Sequence, residues 1–212
     1  MSRISLTELE QYKLNRVQIP VNFTSMLTRK MPTEIILKSP PNFSFKRTII
    51  SHGWCQLLPF TIDEKRWELS RVVDLTPREP VTVALTSLKR SVRIRPSRRL
   101  NQGEIARVLK DVRHVLRLDD NLDEFYQITD ADPSFNWISQ QGAGRMLRSP
   151  TVFEDLVKMI CTTNCSWSLT QKMVTGIVEN LGREAKDGRP TFPSAQALAL
   201  MPLKFFTDEV RA

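Results

Sequence analysis

The hydrophobic pattern of this 212-residue chain changes near residue 100, and that change constrains the fold more than any other feature. Between about residues 32 and 96, short runs rich in β-branched and aromatic residues alternate with proline-bearing segments, which is typical of strands joined by turns. After Arg99 the apolar residues recur at a helical spacing instead. The sequence therefore predicts an α+β protein in which an antiparallel sheet precedes a group of helices.

The predicted strands lie at residues 34–37, 47–50, 67–73, 81–86 and 91–95. In the last two, large apolar residues alternate with small or charged ones, and a short polar segment at 87–90 separates them. This alternation predicts a hairpin in a sheet that has one face in contact with solvent.

Capping signals predict where the helices begin. Asn101 with Glu104, and Thr151 with Glu154, each match the capping box, and Ser166 fits the N-cap of a further helix. A short helix is also expected over 119–128, and another from Ser194. The stripe that we expect to face inward after Thr151 consists of Phe153, Leu156, Val157, Ile160 and Cys161.

Composition narrows the functional classes. The formal net charge of +8 favours a polyanionic partner, either nucleic acid or an acidic membrane surface. The sequence has no bilayer-spanning apolar run, no secretory signal and no basic amphipathic helix, so we expect an intracellular protein without a membrane partner. Cys55, Cys161 and Cys165 match neither a disulfide framework nor a paired zinc motif, so we expect buried thiols, no metal and no cofactor.

A basic stretch runs from Lys89 to Lys110 and contains a single acidic residue, Glu104. Its candidate DNA-binding residues are Arg93, Arg95, Arg98 and Arg99, whose guanidinium groups would neutralise phosphates. The alternative is a solvated sheet face that keeps the protein soluble, and the sequence leaves both interpretations open.

A short polar joint, Thr162-Thr163-Asn164, separates two apolar helices and holds the sharpest single candidate. The Asn164 amide would point out of the joint, where it could bond to a base edge or to the strand left behind by a flipped base. Asparagine also commonly ends a helix in the left-handed conformation, and local chemistry alone favours that structural role.

The sequence around this joint resembles helix–hairpin–helix DNA glycosylases, in the branch that contains the 8-oxoguanine and 3-methyladenine DNA glycosylases. The residues that carry the resemblance are Met159 to Ser168, with Gly144 to Pro150 upstream and Phe192 to Leu198 downstream. Ser51 to Phe60 is similar to an N-terminal signature of bacterial relatives. The similarity is clearest from about residue 142 to residue 212.

The resemblance implies a sheet resembling half of a TATA-binding protein, packed against a helical glycosylase domain. It also implies base excision repair, in which an oxidised or alkylated purine is flipped out of duplex DNA and its N-glycosidic bond is hydrolysed. Asn164 would then contact the base opposite the lesion. The family's catalytic aspartate, the lysine of its lyases and the helix–hairpin–helix lie beyond the matched region. We therefore assign no catalytic residue and expect the chain to be truncated and inactive alone.

We accordingly divide the chain into an N-terminal extension (1–31), the sheet with its packing helix (32–116) and the first helices of the glycosylase domain (117–212). The expected partner is double-stranded DNA with a damaged base, bound by a monomer when the protein is full length, in the cytoplasm and at the nucleoid if it is bacterial. The alternatives are a non-catalytic DNA-binding module and a degenerate remnant that acts as an interaction scaffold. We also expect the helix over 166–181 to leave its apolar stripe exposed.

Overall fold

The computed structural model describes residues 34–211, so the predicted extension over 1–31 lies outside the described residues. The strands are β1 (Ile35–Lys38), β2 (Phe60–Asp63), β3 (Glu68–Val73), β4 (Val81–Leu88) and β5 (Ser91–Pro96). They form one antiparallel sheet in the order β1-β5-β4-β3-β2. The predicted α+β class, with the sheet preceding the helices, is confirmed.

The predicted hairpin is formed by β4 and β5. Leu88 pairs with Ser91, which leaves Lys89 and Arg90 as a two-residue turn. Arg90 has a φ of 52°, as turns that match the twist of a hairpin require. The alternating apolar residues of both strands face the core, so the charged residues between them face outward.

The helices are α1 (Phe45–Ile49), α2 (Gln102–Val115), α3 (Asp123–Asp130), α4 (Trp137–Gln140), α5 (Val152–Cys161), α6 (Trp167–Leu181), α7 (Ala195–Ala199) and α8 (Leu203–Phe205), and a π-helical turn follows over Phe206–Val210. The capping box of Asn101 and Glu104 forms at the start of α2, and Ser166 and Ser194 cap α6 and α7 as predicted. Within residues 34–211, no helix is long and apolar enough to cross a membrane.

The strand predicted over 47–50 is wrong, because this segment belongs to α1. Ser44 caps the helix by accepting the Arg47 N–H, at 3.4 Å. Thr48 and Ile49 are buried, with at most 1% of either residue exposed. They follow the buried Phe45 by three and four residues, which is the spacing of one helix face. The β-branched composition suggested a strand, but the cap and the packing of one face decide for a helix.

The helix predicted over 119–128 begins later, at Asp123. Asp119 and Asp120 pair instead with Arg113 and Arg117, which holds this segment against the end of α2. The acidic residues that resembled a helix start are therefore used in ion pairs with the preceding helix.

The inward stripe predicted for α5 is partly wrong. Leu156 is 56% exposed and Ile160 62% exposed, whereas Glu154 and Lys158 are buried on the opposite face. That face turns inward because Glu154 is bound by Arg71 of β3 across the core. A specific ion pair therefore overrides the hydrophobic pattern of this helix.

The stripe expected to be exposed on α6 is buried instead. Met173, Val174, Ile177 and Val178 are at most 6% exposed. The chain after α8 lies against the same helix, since a Cβ added to Gly176 would lie 3.0 Å from the Glu209 carbonyl oxygen. The buried side chains of sheet and helices form one continuous core, in which the division predicted at 116/117 falls between α2 and α3.

Candidate nucleic-acid interface

The joint between α5 and α6 spans residues 162–166 and is fixed at both ends. Thr162 donates its hydroxyl to the Met159 carbonyl oxygen at 2.7 Å, which secures the end of α5. Ser166 accepts the Leu169 N–H at 3.3 Å, which starts α6. Asn164 lies between these two bonds, is exposed and has a φ of 53°.

The φ of Asn164 confirms the helix-ending conformation that its sequence position suggested. A left-handed residue other than glycine costs free energy, and asparagine is among those that tolerate it best. The conformation also turns the chain sharply, so that the side chain stands on an exposed corner between two helices. The structure thus gives Asn164 the structural role without assigning its amide a partner within residues 34–211.

Two further hydrogen bonds fix the joint to the last residue of α5. The Thr170 hydroxyl and the Cys165 thiol both donate to the Cys161 carbonyl oxygen, at 2.8 and 2.9 Å. Burial raises the pKa of the Cys161 thiol to about 11, so it stays protonated at neutral pH. The Cys161 thiol is therefore packed as a neutral side chain at the end of α5.

A second contact holds the first turn of α6 against the segment that follows α1. The Trp167 ring lies so close to Gly53 that a Cβ there would be 2.8 Å from a ring carbon. Gly53 also has a φ of 90°, which favours glycine. Next to it, the Trp54 indole donates to Asp155 of α5 at 2.8 Å and is 6% exposed. Trp54 thus packs in the core and ties this segment to α5.

A buried ionic cluster positions α5 on the sheet, and the sequence reasoning missed it. Arg71 donates two hydrogen bonds to the Glu154 carboxylate, at 2.9 and 2.7 Å, and Lys158 donates a third at 2.7 Å. Both cations also lie near the Phe60 ring, 4.7 and 4.9 Å from its centre. Thr151 accepts the Glu154 N–H, but the carboxylate turns to Arg71 instead of completing the predicted capping box.

The sequence held one signal for this cluster. Arg71 stands in the part of β3 after Glu68, where every residue is buried and the others are apolar or small. A charged residue at such a position requires a partner, since an unpaired buried charge is very costly. Glu154 and Lys158 lie four residues apart on a helix, which is also the spacing of ordinary exposed ion pairs, so their spacing alone does not indicate burial.

Two of the four arginines proposed as phosphate contacts, Arg93 and Arg95, lie on a different side of the sheet from Asn164. Arg93 pairs with Glu34 at 3.1 Å, and Arg95 pairs with Glu68 of β3. Both arginines alternate with core residues of β5, so they lie on the outer face of the sheet. Asn164 belongs to the helices on the other face, because α5 is bound to Arg71 on the core side of β3.

Arg98 and Arg99 lie at the passage from β5 to α2. Arg98 donates to the Glu104 carboxylate at 2.9 Å and lies 3.9 Å from Glu79. The hydrogen bond from Arg98 is the main cause that lowers the pKa of the Glu104 carboxyl, so this carboxyl is ionised at neutral pH. Arg99 is exposed and makes no ion pair among the described residues. Among the described residues, none of the four arginines forms a hydrogen bond or ion pair with the joint over 162–166.

Comparison with known proteins finds similar solved structures but no similar sequence family. No family model matches the sequence, and no curated protein matches it. Solved structures do match, among them the 8-oxoguanine glycosylase/lyase of Clostridium acetobutylicum in its apo-form, with 19% identity and a TM-score of 0.63 over 84% of this chain and 58% of that one. The same enzyme in complex with double-stranded DNA containing cytosine opposite 8-oxoguanine matches with 18% identity and a TM-score of 0.63, over 85% of this chain and 58% of that one.

The 3-methyladenine DNA glycosylase of Archaeoglobus fulgidus is similar too, with 21% identity and a TM-score of 0.61 over 78% of this chain and 57% of that one. The chain thus spans a little under 60% of the length of these structures. The resemblance found in the sequence around the joint is confirmed at the level of the fold: over 78–84% of its length, this chain has the fold of part of the 8-oxoguanine and 3-methyladenine DNA glycosylase structures.

Proposed function

We propose that this chain is part of a DNA glycosylase of base excision repair and that it contacts duplex DNA through the joint between α5 and α6. The observation that carries the proposal is Asn164, an exposed amide held in the left-handed conformation between two anchored helices. Because the backbone of Asn164 is already fixed, only its side chain has to be ordered when the amide bonds to a base. Asn164 would contact the base opposite the lesion, which loses its partner when the damaged purine is flipped out.

The excision step is proposed only for the whole enzyme, because no catalytic residue is assigned in this sequence. The corresponding measurement is release of 8-oxoguanine or 3-methyladenine from duplex DNA, comparing the 212-residue chain with the complete gene product. We expect base release from the complete protein and DNA binding without release from the chain alone.

Replacing Asn164 with glycine tests the contact with the opposite base. Glycine adopts a φ of 53° without strain, so the variant keeps the joint while removing the amide. The unaltered chain should bind one opposite base about tenfold more tightly than the others, since a good amide–base pair contributes roughly 1–3 kcal/mol. We expect the glycine variant to lose this preference, measured by binding to duplexes with one abasic-site analogue opposite each of the four bases.

The matched control for that experiment is Asn180→Ala on the exposed side of α6, whose amide donates to the Gly176 carbonyl oxygen. This variant should keep the base preference of the unaltered chain. An Asn164→Gly variant that folds and discriminates between bases as before would leave Asn164 with its helix-ending role alone.

A non-catalytic DNA-binding module that uses the basic sheet is the weaker alternative. Arg93 and Arg95 share their outer face with the acidic partners Glu34 and Glu68, so the local charge there is largely balanced. Balanced ion pairs release few counterions on binding DNA. This alternative predicts steeply salt-dependent binding that the double variant R93Q/R95Q abolishes and that Asn164→Gly leaves unchanged.

The exposed apolar side of α5 favours a second candidate function, an interaction scaffold. Val152, Leu156, Met159 and Ile160 are between 55% and 80% exposed on this one helix. Contiguous exposed apolar surface of this kind marks sites of interaction with other proteins or with further parts of the same protein. The helix ends at the joint proposed to contact DNA, so the two proposed functions use neighbouring surfaces.

Polar substitution of this surface has a distinctive expected result. The double variant Leu156→Gln and Ile160→Gln should change the free energy of unfolding by less than about 1 kcal/mol, because both side chains are already exposed. It should also reduce self-association, measured by light scattering during gel filtration. Ile177→Gln on the buried side of α6 is the contrast and should unfold the chain. A large loss of stability in the double variant would show that the surface of α5 is covered.

A further inference from the structure

Gln56 is held in a fixed orientation by the tryptophan that starts α6. The Trp167 Nε1 atom lies 2.7 Å from Gln56 Oε1. Because the indole N–H can only donate, the amide atom facing it has to be the oxygen, and the Gln56 Nε2 group faces away from the ring. Gln56 is exposed, so an amide with two N–H donors in a set direction stands at the protein surface.

This amide is bonded to the first residue of α6, the helix that begins directly after the joint carrying Asn164. Trp167 follows Asn164 by three residues, a stretch that spans at most about 11 Å of extended chain. The Trp167 ring is fixed from the other side by Gly53, which allows the close approach because it has no Cβ. Gln56 belongs to the short 3₁₀ turn Trp54–Gln56, which is tied to α5 through the Trp54–Asp155 bond. An oriented amide from a distant part of the sequence is thus held at the helix start that follows Asn164.

We propose that Gln56 is a second DNA-contact residue, whose Nε2 group donates to an acceptor atom of the duplex beside the one that Asn164 contacts. This inference rests on the proposed function. The ligand chemistry is a hydrogen-bond acceptor, supplied either by a phosphate oxygen or by the edge of a base. Trp167 is a positioning residue in this arrangement, because its N–H determines which end of the Gln56 amide faces the DNA.

Two substitutions of Gln56 test the proposal. Gln56→Glu keeps an oxygen that accepts the Trp167 N–H, but replaces the outward donors with a carboxylate oxygen that duplex DNA repels. Gln56→Ala removes the donors without adding charge. At low salt, with a duplex carrying one abasic-site analogue opposite cytosine, we expect affinity to fall by about tenfold or more for Gln56→Glu and by about threefold to tenfold for Gln56→Ala.

The charge-matched control is Gln196→Glu on the exposed surface of α7. The start of α7 lies beside Thr151, at the end of α5 opposite to the joint. This variant should bind within about twofold of the unaltered chain, and all variants should keep the thermal unfolding midpoint of the unaltered chain. Comparing the four opposite bases then separates the two acceptors. An equal loss for every base indicates a phosphate, and a loss that depends on the base indicates a base edge.

The outcomes distinguish this inference from the function on which it rests. Binding by Gln56→Ala within twofold of the unaltered chain overturns the role of Gln56, even where Asn164→Gly has lost its base preference. An unaltered chain that does not bind the duplex at low salt overturns both. Loss of affinity in both Gln56 variants, with Gln196→Glu unaffected, supports the second contact.

Discussion

Replacing Glu154 with alanine is expected to destabilise the chain by about 3–5 kcal/mol, because it leaves Arg71 and Lys158 buried without a carboxylate. The Arg71 and Glu154 side chains are 8% and 3% exposed, and that of Lys158 is fully buried, so water cannot replace the lost partner. Urea unfolding monitored by circular dichroism measures the change. A loss below about 1 kcal/mol would mean that the cluster does not hold α5 to the sheet.

The control for this prediction is Glu179→Gln on the exposed side of α6, which should change the free energy of unfolding by less than about 0.5 kcal/mol. Glu154→Gln keeps the size of the side chain and removes only its charge. Glu154→Gln should lower the free energy of unfolding by less than Glu154→Ala does, because the amide oxygen can still accept one hydrogen bond from Arg71 or Lys158.

The contribution of Glu154 should also depend on pH in a defined window. Burial raises the pKa of its carboxyl, but the charges and hydrogen bonds of Arg71 and Lys158 outweigh that effect and lower the pKa to about 2. A carboxyl whose pKa is lower in the folded state stabilises the fold fully above its ordinary value of 4.5 and loses that contribution as the pH falls toward about 2. The difference in stability between the unaltered chain and Glu154→Gln should therefore shrink across this range. A difference that stays constant there would contradict the assignment.

Gly182→Ala is the second substitution for which we expect a large effect, a loss of about 3 kcal/mol or more. A Cβ on residue 182 would lie 2.2 Å from the Thr191 carbonyl oxygen and 2.5 Å from that of Val178. Both are backbone atoms, so relief requires opening the last turn of α6 or moving the loop that returns beside it. The φ of −73° suits alanine, so the cause is steric and not a strained conformation.

The comparison for Gly182 is Gly103→Ala in the first turn of α2. The nearest atom to a Cβ there is Asn101 Oδ1, at an unstrained 3.4 Å. Alanine should stabilise this helix by up to about 1 kcal/mol, since glycine has more conformational freedom to lose on folding. Thermal unfolding of the two variants should thus shift in opposite directions. A Gly182→Ala variant as stable as the unaltered chain would show that the loop at Thr191 adjusts freely.

Local sequence signals predicted most of the secondary structure because they act over a few residues. The caps at Asn101, Ser166 and Ser194 and the alternation in β4 and β5 each depend on neighbours in the chain, and the structure confirms them. The segment over 47–50 shows the limit of this reasoning. Its β-branched residues are compatible with a strand, and only packing of Phe45, Thr48 and Ile49 on the core makes it α1.

In the proposed site, too, the sequence indicated features that depend on neighbouring residues and missed those that depend on tertiary packing. The sequence pointed to Asn164, since its position between two helices is local, and it offered the four arginines from Arg93 to Arg99 as further contacts. The strand order determines which face of the sheet those arginines occupy. The strand order and the position of α2 also bring acidic residues of other segments into ion pairs with three of them. The contact between Gln56 and Trp167 joins residues 111 apart in sequence, so no local pattern could reveal it.

The sequence by itself determined the fold class, the hairpin of β4 and β5, the starts of α2, α6 and α7 and the joint at Asn164, because each follows from periodicity and capping within a short stretch. The tertiary structure alone decided which side of α5 is buried. Hydrophobicity favoured Leu156 and Ile160, but Arg71 stands in the core and requires an anionic partner, so α5 turns Glu154 and Lys158 inward and leaves its apolar residues exposed. Long-range pairing of buried charges outweighs the hydrophobic pattern there.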